Sequence, residues 1–269
     1  MLTKRIFAGE ECSLLGFGCM RFPCNDDGSI NEVETFKMLD AAYESGVNYY
    51  DTAYPYHNGY SEILVGKWLK SKPRESVKIA TKLPVWALKE REDVIRIFNE
   101  QLEKLGVEYI DYYLLHSLGR ERWENTILKL DIMPILEDLQ RQGKIRHLGF
   151  SFHDSYELFE EILNFRKWDF CQIQYNYMDT KHQAGDRGYE LAERLAVPLV
   201  IMEPIRGGSL VSFSDDVKDK FRELDRNRTL ANWALSWVAT HSNVKVVLSG
   251  MSTMEQVVEN IRTTPPLSH

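Results

Sequence analysis

Four strand-like runs in this chain each end on a polar side chain that could take part in chemistry. The runs VNYYDT, KIATK, YIDYYLLH and RHLGFS carry Asp51, Lys82, His116 and Ser151 at their last or next-to-last position. They recur about every 30–35 residues, with a helix-patterned stretch in most of each interval. This spacing is typical of βα units in a closed barrel, which carries its active site at the carboxyl ends of its strands. We therefore expect these side chains to converge on one mouth of a barrel.

The first three of these side chains, together with Tyr56, could donate a proton to a carbonyl oxygen. Lys82 at the tip of an apolar strand needs a charged partner, and Asp51 on the adjacent strand is the nearest candidate. The ammonium beside Tyr56 is expected to lower the pKa of the phenol and make it a general acid. His116 could orient the substrate oxygen. The alternative is a purely structural role for these residues. Asp51 and Lys82 would form an ion pair that closes the barrel, and His116 would be a rim histidine with its hydrogen bonds satisfied.

Proton donation is half of a reduction, and the other half needs a hydride. Side chains cannot supply one, so a nicotinamide cofactor is implied. Ser151 and Gln172, on the fifth and sixth strands, could hold a carboxamide, or they could serve packing alone. No G-x-G-x-x-G follows a strand with the required helix, so a Rossmann site is not expected.

Two later segments could bind the phosphates of such a cofactor. The adjacent Gly207 and Gly208 would let the backbone approach a pyrophosphate closely. Arg206 could contact the same pyrophosphate through its charge, or it could be a solvated loop residue. Ser249 and Gly250 precede a predicted helix, whose N-terminus is a natural anion site.

Strand and helix patterns alternate eight times between residue 14 and the C-terminus. The predicted fold class is α/β, a single-domain (β/α)8 TIM barrel over residues 1–269. Residues 1–13 have no partner helix and are expected to cap the bottom of the barrel. An irregular stretch, IRGGSLVSFSDD, is expected after the seventh strand and before the helix TLANWALSWVATH.

The composition is that of one globular domain with neither a nucleic-acid surface nor a membrane span. Of the 269 residues, 43% are hydrophobic and 27% charged, with a net charge of −7. A nucleic-acid surface would show basic clustering, and no apolar run approaches the roughly 20 residues that span a membrane. The first residues lack the apolar segment of a secretory signal, so a cytoplasmic location is expected. The four cysteines form no C-x-x-C pair, so no metal site is predicted, and nothing indicates the oligomeric state.

Five blocks of the sequence, in order, resemble the signature blocks of the aldo-keto reductases. These are DTAYPYHNGYSE, IATK, DYYLLH, GKIRHLGFS and QIQYN, in a resemblance that extends from about Leu15 to Asn260. The resemblance implies reduction of a small aldehyde or ketone with NADP(H) or NAD(H). The catalytic residues that it implies, with Tyr56 as the general acid, are Asp51, Tyr56, Lys82 and His116.

The same resemblance extends to the cofactor. Ser151 and Gln172 match positions that hold the nicotinamide carboxamide, and Gln256, Glu259 and Asn260 match positions near the adenine. The contacts of Gln256, Glu259 and Asn260 are implied by the resemblance alone.

The sequence also departs from the family pattern. Met202 stands where many members stack a tyrosine on the nicotinamide. Gly250 and Gln256 stand where many place a lysine and an arginine on the 2′-phosphate of NADP. The resemblance favours NADP(H), and these departures keep NAD(H) as the alternative.

The blocks EPIRGGSL and LSGMSTMEQ are most similar to one microbial subgroup of the family. Longer members of that subgroup carry a C-terminal ferredoxin-like, cysteine-rich segment, and no matching segment occurs in these 269 residues. The alternative to an enzyme is a nicotinamide-binding accessory or sensor subunit with slow or no turnover.

Overall fold

The fold is an eight-stranded barrel surrounded by helices, preceded by a hairpin. A computed structural model describes residues 2–263. The strands are β1 (Lys4–Phe7), β2 (Glu10–Ser13), β3 (Leu15–Gly18), β4 (Tyr49–Asp51), β5 (Lys78–Leu83), β6 (Ile110–Leu118), β7 (Ile145–Phe152), β8 (Phe170–Gln174), β9 (Leu199–Met202) and β10 (Val244–Gly250). The helices are α1 (Glu32–Glu44), α2 (Tyr60–Leu69), α3 (Asp93–Leu105), α4 (Arg120–Arg122), α5 (Met133–Arg141), α6 (Tyr156–Phe165), α7 (Gly185–Arg194), α8 (Asp215–Leu224), α9 (Leu230–Ala239) and α10 (Met254–Thr263).

Strands β3 to β10 close into one barrel in the order β10-β3-β4-β5-β6-β7-β8-β9. Neighbouring strands are parallel throughout, so every strand ends at the same mouth. The predicted (β/α)8 barrel is confirmed. Its closure depends on β10 pairing with β3, which places Gly250 opposite Gly18.

Apolar side chains inside the barrel form the floor of the site. Tyr49, Ala80 and Phe170 belong to one buried cluster in the interior. Side chains two residues apart on a strand face the same side. Asp51, Lys82 and Gln172 follow those three residues by two positions, so each polar side chain lies above an apolar one.

The hairpin β1–β2 lies against the amino-terminal end of the barrel. The ring of Phe7 stacks on Tyr112, with ring centroids 4.5 Å apart. Arg5 donates hydrogen bonds to the backbone carbonyls of Ala239, His241 and Val244, just before and at the start of β10. These contacts lie at the opposite end of the barrel from Asp51 and Lys82.

Three helical segments have no counterpart in the sequence analysis. Helix α8 lies at the end of the irregular stretch and has no buried residue, and it was missed although Val217, Phe221 and Leu224 recur at helical spacing. Between β6 and α5 the chain forms the short helix α4 and then a π-helical segment, Trp123–Leu128. A π-helix does not follow the 3.6-residue period that predicts ordinary helices.

Candidate active site

Lys82 is held at the carboxyl-end mouth by two oxygen atoms from β4 and the residue after it. Its Nζ donates to Oδ1 of Asp51 at 2.6 Å and to the carbonyl oxygen of Thr52 at 2.7 Å. The hydroxyl oxygen of Tyr56 lies 3.5 Å from the same nitrogen. One ammonium therefore connects the carboxylate to the phenol.

Burial and charge oppose each other in this pair. Burial alone would lower the pKa of Lys82, yet Asp51 and Tyr56 together raise it. Burial raises the pKa of Asp51, and Lys82 offsets that rise only in part. We assign the ion pair, because the 2.6 Å contact and the raised pKa of Lys82 both favour a charged ammonium.

The pKa of Tyr56 departs from the sequence-based expectation. Burial raises the pKa of this phenol by more than Lys82 lowers it, so the net direction is upward. The expectation that the ammonium lowers the pKa counted the charge and left out the desolvation of a nearly enclosed ring. The resting phenol is therefore protonated, which is the form that a proton donor needs.

His116 is a neutral imidazole at this mouth. Burial, followed by the charges of Lys82, Arg122 and His153, holds its pKa well below the usual range. Its Nδ1 is buried without a hydrogen-bond partner in the described part of the chain. The imidazole ring lies edge-on to Tyr56, with centroids 6.0 Å apart, and contacts Trp86 at 5.0 Å. A neutral imidazole can donate one hydrogen bond to a substrate oxygen.

The first turn of α2 fixes the strand residues beside the ion pair. Ser61 bonds Thr52, the neighbour of Asp51, with 2.8 Å between the hydroxyl oxygens. Glu62 accepts a 2.6 Å bond from the hydroxyl of Thr81, the neighbour of Lys82. Both Ser61 and Glu62 are fully buried. Alternate strand residues thus point outward to be anchored, while Asp51 and Lys82 point inward.

Two clefts meet at the candidate proton donor. The larger cleft, about 1490 Å³ with its open mouth included, is lined by residues from the far side of the barrel, including Ser151, Gln172, Gly208, Ser249, Gly250 and Gln256. The smaller cleft, about 870 Å³ on the same measure, is lined by Met20, Pro55, Tyr56, His57, Trp86, His116, Ser117 and Arg122. The residues that line both clefts are Met20, Tyr56, His116 and Ser117.

The larger cleft suits an amide group beside Tyr56. Ser151 and Gln172 are register partners on β7 and β8, and both are buried. Oε1 of Gln172 has no hydrogen-bond partner among residues 2–263, and Nε2 lies 3.6 Å from the sulfur of Met202. The hydroxyl of Ser151 accepts a 2.7 Å bond from the backbone N–H of Ser117. A carboxamide would satisfy the unpaired amide oxygen, so these residues fit a nicotinamide.

Glycines open the other end of this cleft. Gly207 and Gly208 have φ of +62° and +100°, where an L side chain is strained, and a Cβ on Gly208 would meet nothing within 4 Å. Arg21 lies against both glycine segments. A Cβ added to Gly250 would lie 3.1 Å from Cδ of Arg21, and a Cβ added to Gly207 would lie 3.8 Å from Nη2 of Arg21. Sequence analysis missed Arg21, which lies three residues beyond the end of β3 and met the same strand-end criterion.

Three predicted cofactor residues lie outside the lining of this cleft. Arg206 forms an ion pair with Asp179, with 3.2 Å between Nε and Oδ2. The carboxylate of Glu259 accepts a hydrogen bond from Thr229. Asn260 is buried and donates a 2.9 Å bond to the hydroxyl of Ser249, so it reaches the cleft through that residue.

Among residues 2–263, no group of three or more His, Cys, Asp or Glu is arranged to hold a metal ion. No helix in the same range has both the length and the apolar character to cross a membrane.

Known proteins are similar to this chain in sequence and in fold. The model of the aldo/keto reductase family matches residues 14–267. The NADH-specific methylglyoxal reductase of Escherichia coli is 26% identical over 276 aligned residues, which cover 87% of this chain and 84% of the relative. An aldo-keto reductase from Bacillus halodurans in its holo form superposes with a TM-score of 0.83 at 24% identity, covering 100% and 93% of the two chains. An aldo-keto reductase from Klebsiella pneumoniae in complex with NADPH superposes with a TM-score of 0.81 at 21% identity, covering 100% of this chain and 92% of that one.

Proposed function

The chain belongs to the aldo/keto reductase family, and we propose that it reduces an aldehyde or ketone to an alcohol with a nicotinamide cofactor. The observation that carries this proposal is the meeting of the two clefts at Tyr56 and His116. One cleft suits a long cofactor with an amide at its inner end. The other is open for a small carbonyl compound beside the same phenol.

We assign the larger cleft to the cofactor. Ser151 and Gln172 would hold the carboxamide, and Arg21 with the backbone at Gly207 and Gly208 would hold the pyrophosphate. Ser249, Gly250, Gln256 and Asn260 would lie toward the adenine end, with Arg206 and Glu259 further out. When bound, a nicotinamide supplies the hydride that side chains cannot.

Tyr56 is the proposed general acid. Its hydroxyl donates a proton to the carbonyl oxygen, and the ammonium of Lys82 stabilises the phenolate that this leaves. Asp51 keeps that ammonium in place and charged. His116, neutral in the resting site, donates a hydrogen bond that orients the carbonyl oxygen.

The cofactor preference is open between NADPH and NADH. The relative from Escherichia coli is NADH-specific, whereas the family resemblance favours NADPH. A cytosolic location remains a prediction from the sequence.

The direct test is turnover with purified protein. Loss of reduced-nicotinamide absorbance is followed with a panel of aldehydes and ketones, once with NADPH and once with NADH. Turnover with one of the two cofactors supports the proposal. Tight cofactor binding with no turnover across the panel would instead favour an accessory or sensor subunit.

A further inference from the structure

Arg122 lies at the wall of the smaller cleft, on the side away from the proposed cofactor residues. Its guanidinium lies over the ring of Trp86, 5.1 Å from the centroid, and Trp86 in turn contacts the imidazole of His116. Arg122, Trp86, His116 and Tyr56 all line this cleft. The cleft that is open for a carbonyl compound beside Tyr56 therefore also presents Arg122.

The local backbone holds this arginine in place. Arg122 Nη1 donates a 2.5 Å bond to the carbonyl oxygen of Ser117, a residue with φ of +54°. The π-helical segment Trp123–Leu128 begins at the next residue, and the buried Trp123 anchors it by a 3.0 Å bond to Glu161. Non-glycine residues at positive φ and π-helical turns both concentrate at functional sites.

The charge of Arg122 is uncompensated. Within residues 2–263, this half-buried guanidinium makes one hydrogen bond to an acceptor and forms no ion pair, so four of its five N–H groups have no protein acceptor. The neighbouring Arg120, in contrast, is paired with Glu124 at 3.0 Å and Glu161 at 2.9 Å.

No side chain in the cleft supplies the missing negative charge. The described residues that line it include no carboxylate, and the positive charge of Arg122 contributes to keeping His116 neutral. The titratable groups that act on His116 are Lys82, Arg122 and His153. An unpaired cation in a cleft without a carboxylate favours an anionic ligand locally, against the net charge of −7 of the whole chain.

We propose that Arg122 binds an oxyanion group of the substrate, a carboxylate or a phosphate, so that the carbonyl substrate is an acid. The proposal rests on the reductase function proposed above and narrows its substrate class. A guanidinium presents several donors in a fixed fork that matches either oxyanion. The ring of Trp86 supports the guanidinium from one side.

The test uses two matched pairs of aldehydes with the wild-type protein, Arg122→Met and the control Arg120→Met. The pairs are 4-carboxybenzaldehyde with benzaldehyde, and glyceraldehyde 3-phosphate with glyceraldehyde. The readout is the ratio of kcat/KM for the charged and the uncharged member. We expect this ratio to fall about 10- to 100-fold in Arg122→Met, as for loss of a charge-assisted hydrogen bond, and to be kept in Arg120→Met.

The two pairs distinguish the two oxyanions, since the pair that shows the preference identifies the group. A wild-type protein that prefers neither charged aldehyde, or an Arg122→Met variant that keeps the wild-type ratio in both pairs, overturns the proposal.

A binding measurement separates this inference from the reductase proposal. Benzoate and inorganic phosphate are titrated by calorimetry into each of the three proteins in the presence of NADP⁺. Wild type and Arg120→Met should bind one of these anions at least tenfold more tightly than Arg122→Met. Equal affinity in all three proteins contradicts the role of Arg122. Absence of turnover with all four aldehydes, together with Arg122-dependent anion binding, would leave the anion site standing and remove the reductase function.

Discussion

Lys82 donates a 2.6 Å hydrogen bond to Asp51 on the adjacent strand at the barrel mouth, and the two side chains are only 1% and 4% exposed. Desolvation of two charges opposes their attraction, so such a pair contributes little net stability while it is intact. Removal of one partner is different, because the remaining charge stays buried without compensation. The pair is thus better suited to hold an ammonium beside Tyr56 than to stabilise the barrel.

We expect Lys82→Met to lower the free energy of unfolding by about 3–5 kcal/mol, because Asp51 is left buried and unpaired. The double variant Asp51→Asn/Lys82→Met should recover part of this loss, since no charge remains. Both variants should lack turnover, because neither has the ammonium of Lys82. Urea unfolding at neutral pH measures the first two effects, and a single variant as stable as the wild type would refute the buried ion pair.

His116 should make unfolding pH-dependent in a defined direction. Its pKa is lowered in the folded protein and near its usual value of about 6.5 in the unfolded chain. As pH falls through about 6.5, His116 becomes protonated in the unfolded chain and stays neutral in the folded protein. The free energy of unfolding therefore decreases.

The comparison that isolates this effect is wild type against His116→Asn. Between about pH 7.5 and about pH 5.5, the stability of the wild type relative to the variant should fall by about 1 kcal/mol. Urea unfolding of both proteins at the two pH values gives the difference. A difference that is constant, or that moves the other way, would show that His116 is not held neutral.

Arg21 should contribute to cofactor affinity more than Arg206 does. Arg21 lies against the glycine segments of the larger cleft, whereas the guanidinium of Arg206 is already paired with Asp179. We expect Arg21→Gln to weaken NADPH or NADH binding by about tenfold, as for a lost charged hydrogen bond. Fluorescence titration of both variants with both cofactors measures this, and a larger effect for Arg206→Gln would reverse the assignment.

The barrel and its polar strand ends could be predicted because both follow from local pattern. Asp51, Lys82 and His116 lie within two residues of the ends of apolar strands and mark their carboxyl ends, which parallel strands bring together. Whether an interval contains a helix is also a local property, and α8 was missed although Val217, Phe221 and Leu224 recur at helical spacing.

Features that depend on tertiary closure could not be predicted. Arg21 met the strand-end criterion, but its contact with Gly250 depends on the pairing of β3 with β10, and no sequence pattern links these distant segments. Arg122 lies just before a π-helical segment that has no ordinary periodicity. The direction of the Tyr56 pKa depends on how much burial outweighs the charge of Lys82, and burial depends on the whole site.

The central claim is that Tyr56 donates the proton in a nicotinamide-dependent reduction. The most direct measurement compares wild type and Tyr56→Phe, with kcat for an aldehyde that the wild type reduces and the Kd of the preferred cofactor by fluorescence titration. The account predicts a kcat lower by about 10²–10⁴-fold with a Kd within about threefold of wild type, because the phenol supplies a proton and not a cofactor contact. A Tyr56→Phe variant that keeps wild-type kcat would contradict it.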